Sequence, residues 1–254
     1  MKIAVCLKPV PATDTRVKIE GGGKRLDPAG VSMVINPYDE YALEEALKLR
    51  EAAGAGEVVL LTVGPASFTA TIRNGLAMGA DSAVLLTADG EIDTLQVARA
   101  LAAEIDGKGF DLVLCGKQAA DDDAAQVAPM LAALLQLPCA TVVTKLVLEG
   151  PVAAGTKGRA HREIEGGIEE VAFALPAVVA AQKGLNEPRY PSLKGIMAAK
   201  KKVVEDRPAQ LGEPVLEVLS LALPAARSAG RIVGEGVSAV PELVRLLREE
   251  AKVI

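Results

Sequence analysis

The sequence has no tryptophan, and only 2% of its residues are aromatic, with three tyrosines and three phenylalanines. A core built on large rings is excluded. The 50% of residues that are hydrophobic are mainly Ala, Val, Leu and Ile, which suits close-packed helices on a buried sheet. The same fraction excludes a disordered chain. One histidine, His161, stands in a charged stretch with no nearby Cys or Asp, which reads as a surface residue and not a catalytic one.

The three cysteines, Cys6, Cys115 and Cys139, are odd in number and lack metal-ligand spacing, so no metal site is expected. Each lies in or beside an apolar run, and the expectation is a buried, reduced thiol in a cytosol-like compartment. No window reaches the ~20 apolar residues of a membrane span. The N-terminal MKIAVCLKPV reads as a first strand and not as a signal peptide, so a cytoplasmic protein without membrane insertion is expected. A formal net charge of −5 gives no reason to expect nucleic acid as partner.

What is present is a regular alternation. Apolar β-type runs at residues 2–7, 57–63, 82–86 and 111–115 are separated by amphipathic helical stretches at 38–53, 67–78, 94–105 and 124–135. Ser67 is the expected cap of the second helix. Strand and helix in turn predict a doubly wound, mostly parallel sheet of an α/β protein, with a ligand at the carboxyl ends of its strands. Residues 141–148, 158–164 and 168–174 predict an added antiparallel section with a turn at Gly166-Gly167, and 177–181 a further strand. Residues 184–202 read as irregular and then basic, 206–212 as a loop, and 215–223 as a strand. A C-terminal arm of small residues follows Pro224 and ends in an amphipathic helix over about 240–251. The expected division is a large α/β domain over 1–235 and, in 236–254, a helix that could dock elsewhere.

Residues 115–123, Cys115-Gly116-Lys117-Gln118-Ala119-Ala120-Asp121-Asp122-Asp123, join a buried strand to a helix. Gly116 permits unusual backbone angles, the next helix offers free N–H groups, and Lys117 is a counter-charge, so the turn suits a phosphate. It is not a Walker A loop, because the G-x-x-x-x-G-K-[ST] spacing is missing. Three successive aspartates suggest Mg²⁺, but they cannot converge on one ion unaided, and Asp123 as a helix cap is the preferred reading. Asn36-Pro37-Tyr38-Asp39, before the first long helix, is a second candidate wall of the same pocket. The plain alternative is Asn-Pro at a helix start.

A long stretch, Ala160-His161-Arg162-Glu163-Ile164-Glu165-Gly166-Gly167-Ile168-Glu169-Glu170-Val171 followed by Leu175-Pro176-Ala177-Val178, closely resembles the signature of electron transfer flavoprotein beta subunits. Residues 185–202, from Leu185-Asn186-Glu187-Pro188-Arg189-Tyr190 to Lys200-Lys201-Lys202, are similar to that family's partner-recognition segment. The resemblance implies an electron carrier and not a stand-alone enzyme. It implies a heterodimer with an alpha subunit, which holds most of an FAD at the shared interface, and one structural AMP in this chain. Electrons would come from flavoprotein dehydrogenases, such as acyl-CoA dehydrogenases, and go to a membrane quinone oxidoreductase. Carried over by residue, the AMP contacts are Cys6, Asn36, Pro37, Tyr38, Asp39, Val63, Gly116, Lys117, Gln118, Ala119, Ala120, Asp121, Asp122, Asp123, Ala124, Ala125, Gln126 and Val127. The partner contacts are Leu193 as anchor with Tyr190, Ile196 and Met197, and Glu163 towards the alpha subunit.

Gln126-Val127-Ala128-Pro129 is similar instead to bifurcating relatives, in which FAD replaces AMP. Asp122 stands where those relatives have glycine, and its side chain would crowd a diphosphate. The resemblance therefore favours AMP. A reading of another class is an ATP-binding domain similar to the universal stress proteins. It leaves the long signature and the Leu193 segment unexplained.

Overall fold

The computed structural model describes residues 1–226 and 229–254. The chain forms two compact units: Met1–Val17 with Pro28–Leu219, and Lys18–Asp27 with Ser220–Ile254. The second unit thus includes a short hairpin near the N-terminus and everything from Ser220 onward, whereas the sequence reading drew its division at 236. The stretch of small residues after Pro224 includes Arg227 and Ser228, which lie outside the described residues.

In the first unit β1 (Lys2–Cys6) is followed by a two-stranded antiparallel ribbon of β2 (Pro9–Pro11) and β3 (Met33–Ile35). Then come α1 (Pro37–Ala53), β4 (Glu57–Gly64), α2 (Thr69–Met78), β5 (Ser82–Thr87), α3 (Thr94–Ile105), β6 (Leu112–Gly116) and α4 (Val127–Leu135). After them follow β7 (Cys139–Leu148), β8 (Lys157–Ile164), β9 (Gly167–Ala174), β10 (Ala177–Ala181), α5 (Leu193–Ala199) and β11 (Val204–Pro208). Among the described residues these strands build one nine-stranded sheet in the order β11-β5-β4-β1-β6-β10-β7-β8-β9. Pairing is parallel from β11 to β7, and antiparallel for β7–β8 and β8–β9. This is the doubly wound, mostly parallel sheet with an added antiparallel section that the alternation of elements predicts.

The period of two along β1 sorts its side chains between two cores. Ile3 and Val5 join Leu43 and Leu47 of α1 and Ile72 and Leu76 of α2 on one face. Ala4 and Cys6 join Leu101 of α3 and Leu131 of α4 on the other. With both faces covered, the strands read as unbroken apolar runs. The chain leaves β1 towards β4 and β5, then returns to place β6 on the other flank of β1. The switch point of the topology is therefore the carboxyl end of β1.

Several local expectations are corrected. Ser67 lies inside a 3-10 turn, Ala66–Phe68, and α2 begins at Thr69 with no side-chain cap. α4 begins at Val127 and not at 124, and Asp123 does not cap it. Residues 204–208 are an edge strand: Val204 to Pro208 pair in parallel with Ala83 to Thr87, and the charged Glu205, Asp206 and Arg207 guard the outer edge. Residues 193–199 are helical because Ser192 caps them, its Oγ accepting the Gly195 N–H at 3.0 Å. No strand forms at 215–223 among the described residues, and Val215, Leu216 and Leu219 are exposed. Cys6 and Cys115 are buried as expected, but Cys139 is exposed.

In the second unit Ile19 and Leu26 form an antiparallel bridge, the Leu221 N–H donates to the Gly23 carbonyl oxygen at 2.7 Å, and α6 (Val240–Glu249) ends the chain. On α6, Arg245 bonds both Glu242 and Glu249 along one side of the helix. Val240, Leu243 and Val244 are exposed.

Candidate functional site

The carboxyl ends of β1, β4 and β6 converge on a cavity of about 240 Å³ at the switch point. Its floor is apolar, formed by Cys6, Leu61, Cys115 and, from α3, Val97 and Leu101. One wall is Val63, Gly64, Pro65 and Phe68, together with the turn before α3. The opposite wall is the loop from Gly116 to Ala119 with Asp122, and then residues 124–128, where α4 begins. Open α/β sheets bind ligands at this place, because strand ends on opposite sides of the reversal leave a crevice.

Two side chains at the start of α1 fasten the wall together. Asp39 is buried, and its Oδ2 accepts the Lys8 N–H at 2.7 Å while Oδ1 accepts the Gly116 N–H at 3.0 Å. Asn36 is 1% exposed; its Nδ2 donates to Asp39 Oδ1 at 3.0 Å and to the Gln118 carbonyl oxygen at 2.8 Å. Its Oδ1 accepts the Ala120 N–H at 3.1 Å. The end of β1, the end of β6 and the loop after it are thus held by one Asn-x-x-Asp turn. Gly116 is required by this contact: a Cβ there would lie 2.3 Å from Asp39 Oδ1 and 2.8 Å from the Tyr38 carbonyl carbon.

Burial pushes the Asp39 carboxyl up to about 7, against the pull of the hydrogen bonds from Lys8, Asn36 and Gly116. Cys115 is also pushed upward, first by its hydrogen bond with Cys6 and then by burial, which disfavours its thiolate.

The three aspartates diverge. Lys8 Nζ donates to Asp121 Oδ1 at 2.8 Å and to Asp122 Oδ2 at 2.9 Å, while Asp123 Oδ1 accepts Gln118 Nε2 at 2.6 Å. Burial opposes the Lys8 charge, but the two carboxylates outweigh it and hold the ammonium above the usual lysine range. Asp122 is likewise desolvated, yet Lys8 and the Ala124 N–H hold it below the usual carboxylate range. The loop is strained, since Asp123 and Ala125 have φ of 50° and 54°. It delivers the chain to α4 with no side-chain cap at Gln126, whose Oε1 instead accepts Thr94 Oγ1 at 2.9 Å. The first amides of α4, at Val127 and Ala128, thus begin the helix at the cavity wall.

Of the residues singled out in the sequence, Cys6, Asn36, Asp39, Val63, Gly116, Lys117, Gln118, Ala119, Asp122, Ala124, Ala125, Gln126 and Val127 line the cavity. Pro37, Tyr38, Ala120, Asp121 and Asp123 are not among its lining residues: Pro37 opens α1, Tyr38 lies under Lys117 Nζ at 5.1 Å, and the other three make the bonds above. Sequence reasoning missed Leu7, Lys8, Phe68, Thr94 and Val97. Lys8 had a signal, a lysine directly after an apolar strand and before Pro9.

A second feature lies on α5. Tyr190 is 94% exposed and Leu193 78%, with Ile196 and Met197 also exposed. Gly195 seats this short helix on α2, where a Cβ would come within 2.3 Å of the Ala77 carbonyl oxygen. Glu163 is elsewhere, exposed on β8, where its Oε2 accepts Gln182 Nε2 at 2.9 Å. His161 pairs with Glu170 across the β8–β9 ladder at 3.0 Å. Among the described residues no helix is long and apolar enough to cross a membrane.

Residues 25–211 match the family model of the electron transfer flavoprotein domain. The chain is 41% identical over 265 residues to the electron transfer flavoprotein subunit beta of Bacillus subtilis, covering all of both chains. It is 43% identical over 258 residues to the subunit of that name from Bradyrhizobium diazoefficiens, again over the whole of both. With the mitochondrial electron transfer flavoprotein subunit beta of Oryza sativa subsp. indica it shares 40% over 262 residues, with the same full coverage.

Proposed function

The chain belongs to the electron transfer flavoprotein family as a beta subunit, and from that premise we propose that it binds one structural AMP in the switch-point cavity. In this reading it pairs with an alpha subunit that holds most of an FAD. The observation that carries the AMP assignment is the uncapped amino end of α4 in the wall of the cavity that Lys117 and Lys8 also line. Free helix amides and nearby cations suit a phosphate, and the apolar floor suits a purine. Residues 116–127 hold the phosphate end, and Val63 and the apolar floor exclude water from the base.

FAD, when bound at the subunit interface, supplies the one-electron chemistry. This chain supplies shape and docking. Its exposed residues Tyr190, Leu193, Ile196 and Met197 form an apolar face for flavoprotein dehydrogenases, with Leu193 as the anchor, and Glu163 faces the alpha subunit. The electrons then pass to a membrane quinone oxidoreductase, the partner reached without membrane insertion. The carrier works in the cytoplasm and is not itself an enzyme.

A second reading puts FAD in the AMP cavity, as in a bifurcating carrier, and Gln126-Val127-Ala128-Pro129 favours it. Asp122 weighs against it, because its carboxylate in the cavity wall adds bulk and negative charge on the side where a diphosphate would pass. The ATP-sensing alternative has no such support from the relatives. The deciding experiment is to co-express the chain with its alpha subunit, denature the purified heterodimer and identify the released nucleotides by mass spectrometry. One FAD and one AMP support the proposal. Two FAD and no AMP establish the bifurcating reading.

A further inference from the structure

Residues 186–189 are held against α1 by polar bonds. Asn186 Nδ2 donates to the Tyr41 carbonyl oxygen at 3.0 Å and to Glu45 Oε2 at 2.9 Å. Three residues on, the Arg189 guanidinium closes on two carboxylates of α1. Its Nε and Nη2 donate to Glu44 at 2.8 and 2.9 Å, and its Nη1 and Nη2 donate to Glu51 at 2.5 and 3.0 Å. The Arg189 backbone N–H adds a bond to Glu44 Oε2 at 3.1 Å. Glu44 and Glu51 are seven residues apart, two turns along one face of the helix. Glu44 is only 5% exposed, so without the guanidinium it would be a buried, uncompensated charge.

The chain exposes its large apolar groups directly after this clamp, beginning with Tyr190. A second set of bonds fixes the far end: Arg73 Nη1 donates to the Ala199 carbonyl oxygen at 2.7 Å, and Lys202 Nζ to that of Leu76 at 3.0 Å. The exposed face is therefore suspended between two anchors. Association otherwise costs about 0.5–1.5 kcal/mol for each flexible side chain that must be ordered, and a segment fixed beforehand avoids part of that cost.

We propose that Arg189 is a positioning residue for electron delivery: by gripping Glu44 and Glu51 it fixes the orientation of the 190–197 face before a dehydrogenase arrives. This rests on reading that face as the dehydrogenase-docking surface. Arg189 acts through α1 and not on the flavin, so its loss weakens encounter without slowing transfer inside the docked complex. Lysine keeps the charge but loses the planar fork that engages two carboxylates, so Arg189→Lys restores part of the effect.

The test uses the holo heterodimer, with reduction by an acyl-CoA dehydrogenase followed at varied heterodimer concentration. For Arg189→Gln the expected result is a KM raised about tenfold (about 1.4 kcal/mol), a kcat within about twofold of wild type, and an intermediate KM for Arg189→Lys. Hydrogen exchange should quicken at the amides of 190–199 and stay unchanged in β1, β4 and β6. Leu193→Ala separates the two layers of argument. If it reduces like wild type, the docking reading itself fails. If it is slowed while Arg189→Gln keeps the wild-type KM, the docking face stands and the positioning role is overturned. Should Arg189→Gln not fold, Glu51→Gln removes only the half-exposed part of the clamp: a KM raised about threefold supports the proposal, and a wild-type KM overturns it.

Discussion

The Asp39 carboxylate and the Gly116 backbone N–H lie 3.0 Å apart, joining the first turn of α1 to the last residue of β6 across the switch point. There is no room at Gly116 for a side chain, since a Cβ would overlap Asp39 and the Tyr38 backbone. Gly116→Ala must therefore push α1 and β6 apart. Overpacking at a tight site costs about 1–3 kcal/mol. We expect that loss in chemical denaturation of the heterodimer, with a reduced AMP content in the purified protein. Full AMP content and unchanged stability would mean that the wall does not depend on this approach.

Asp39 also predicts a pH dependence. Burial raises its carboxyl to about 7, from 3.8 in an unfolded chain. The fold thus tolerates the protonated form better. The stability gained from this group is complete below about 3.8 and is lost as pH rises through about 7. Unfolding free energies of wild type and Asp39→Asn, compared from pH 4 to 8, should show wild type losing ground to the variant up to about pH 7 and then a constant difference. A difference that grows in favour of wild type with rising pH would mean that the three N–H bonds outweigh burial.

The parallel sheet was legible because each of its central strands is buried on both faces and reads as an apolar run. The cavity loop was legible from a glycine at a strand-to-helix junction, although Gly116 serves the close approach of Asp39 and Tyr38 and not a left-handed φ. Lys8 was not, since a lysine after a strand is usually solvated and its two aspartates lie more than a hundred residues away. The late start of α4 was hidden by Ala124 and Ala125, which have high helix propensity but here follow a left-handed Asp123. The edge strand β11 was hidden by Glu205, Asp206 and Arg207, charges that suit an outer edge and read as a loop. Residues 215–223 carry the opposite error: an apolar run looks like a strand, but the Val215 and Leu216 N–H groups go to Asp93 and that of Leu221 to the Gly23 carbonyl oxygen.

Leu193 is 78% exposed, so its side chain contributes little to folding. Leu193→Ala should leave stability within about 0.5 kcal/mol of wild type and leave the nucleotide content intact. Reduction by the dehydrogenase should slow about tenfold or more, as for an interface anchor. Melting curves, released nucleotides and stopped-flow reduction check the three parts. Unchanged reduction kinetics would remove Leu193 from the interface.

In the proposed AMP site, Lys8 would offset the acidic part of the wall for a phosphate. Its Nζ pairs with Asp121 and Asp122 at 2.8 and 2.9 Å and offsets one of their two negative charges, and Asp122 is itself part of the wall. Lys8→Gln leaves both carboxylates uncompensated beside the ligand. Lys8 is partly exposed, so the ion pairs themselves contribute at most about 1 kcal/mol to folding. The effect should fall on the ligand: AMP binding to nucleotide-depleted heterodimer is expected to weaken about tenfold, equivalent to about 1.4 kcal/mol, and to weaken less at high salt, which screens the repulsion. Adding Asp122→Asn removes one of the two charges and should recover part of the affinity. If Lys8→Gln binds AMP like wild type, or if the double variant is weaker than the single one, charge compensation by Lys8 is not what admits the phosphate, and the amides of α4 with Lys117 must suffice.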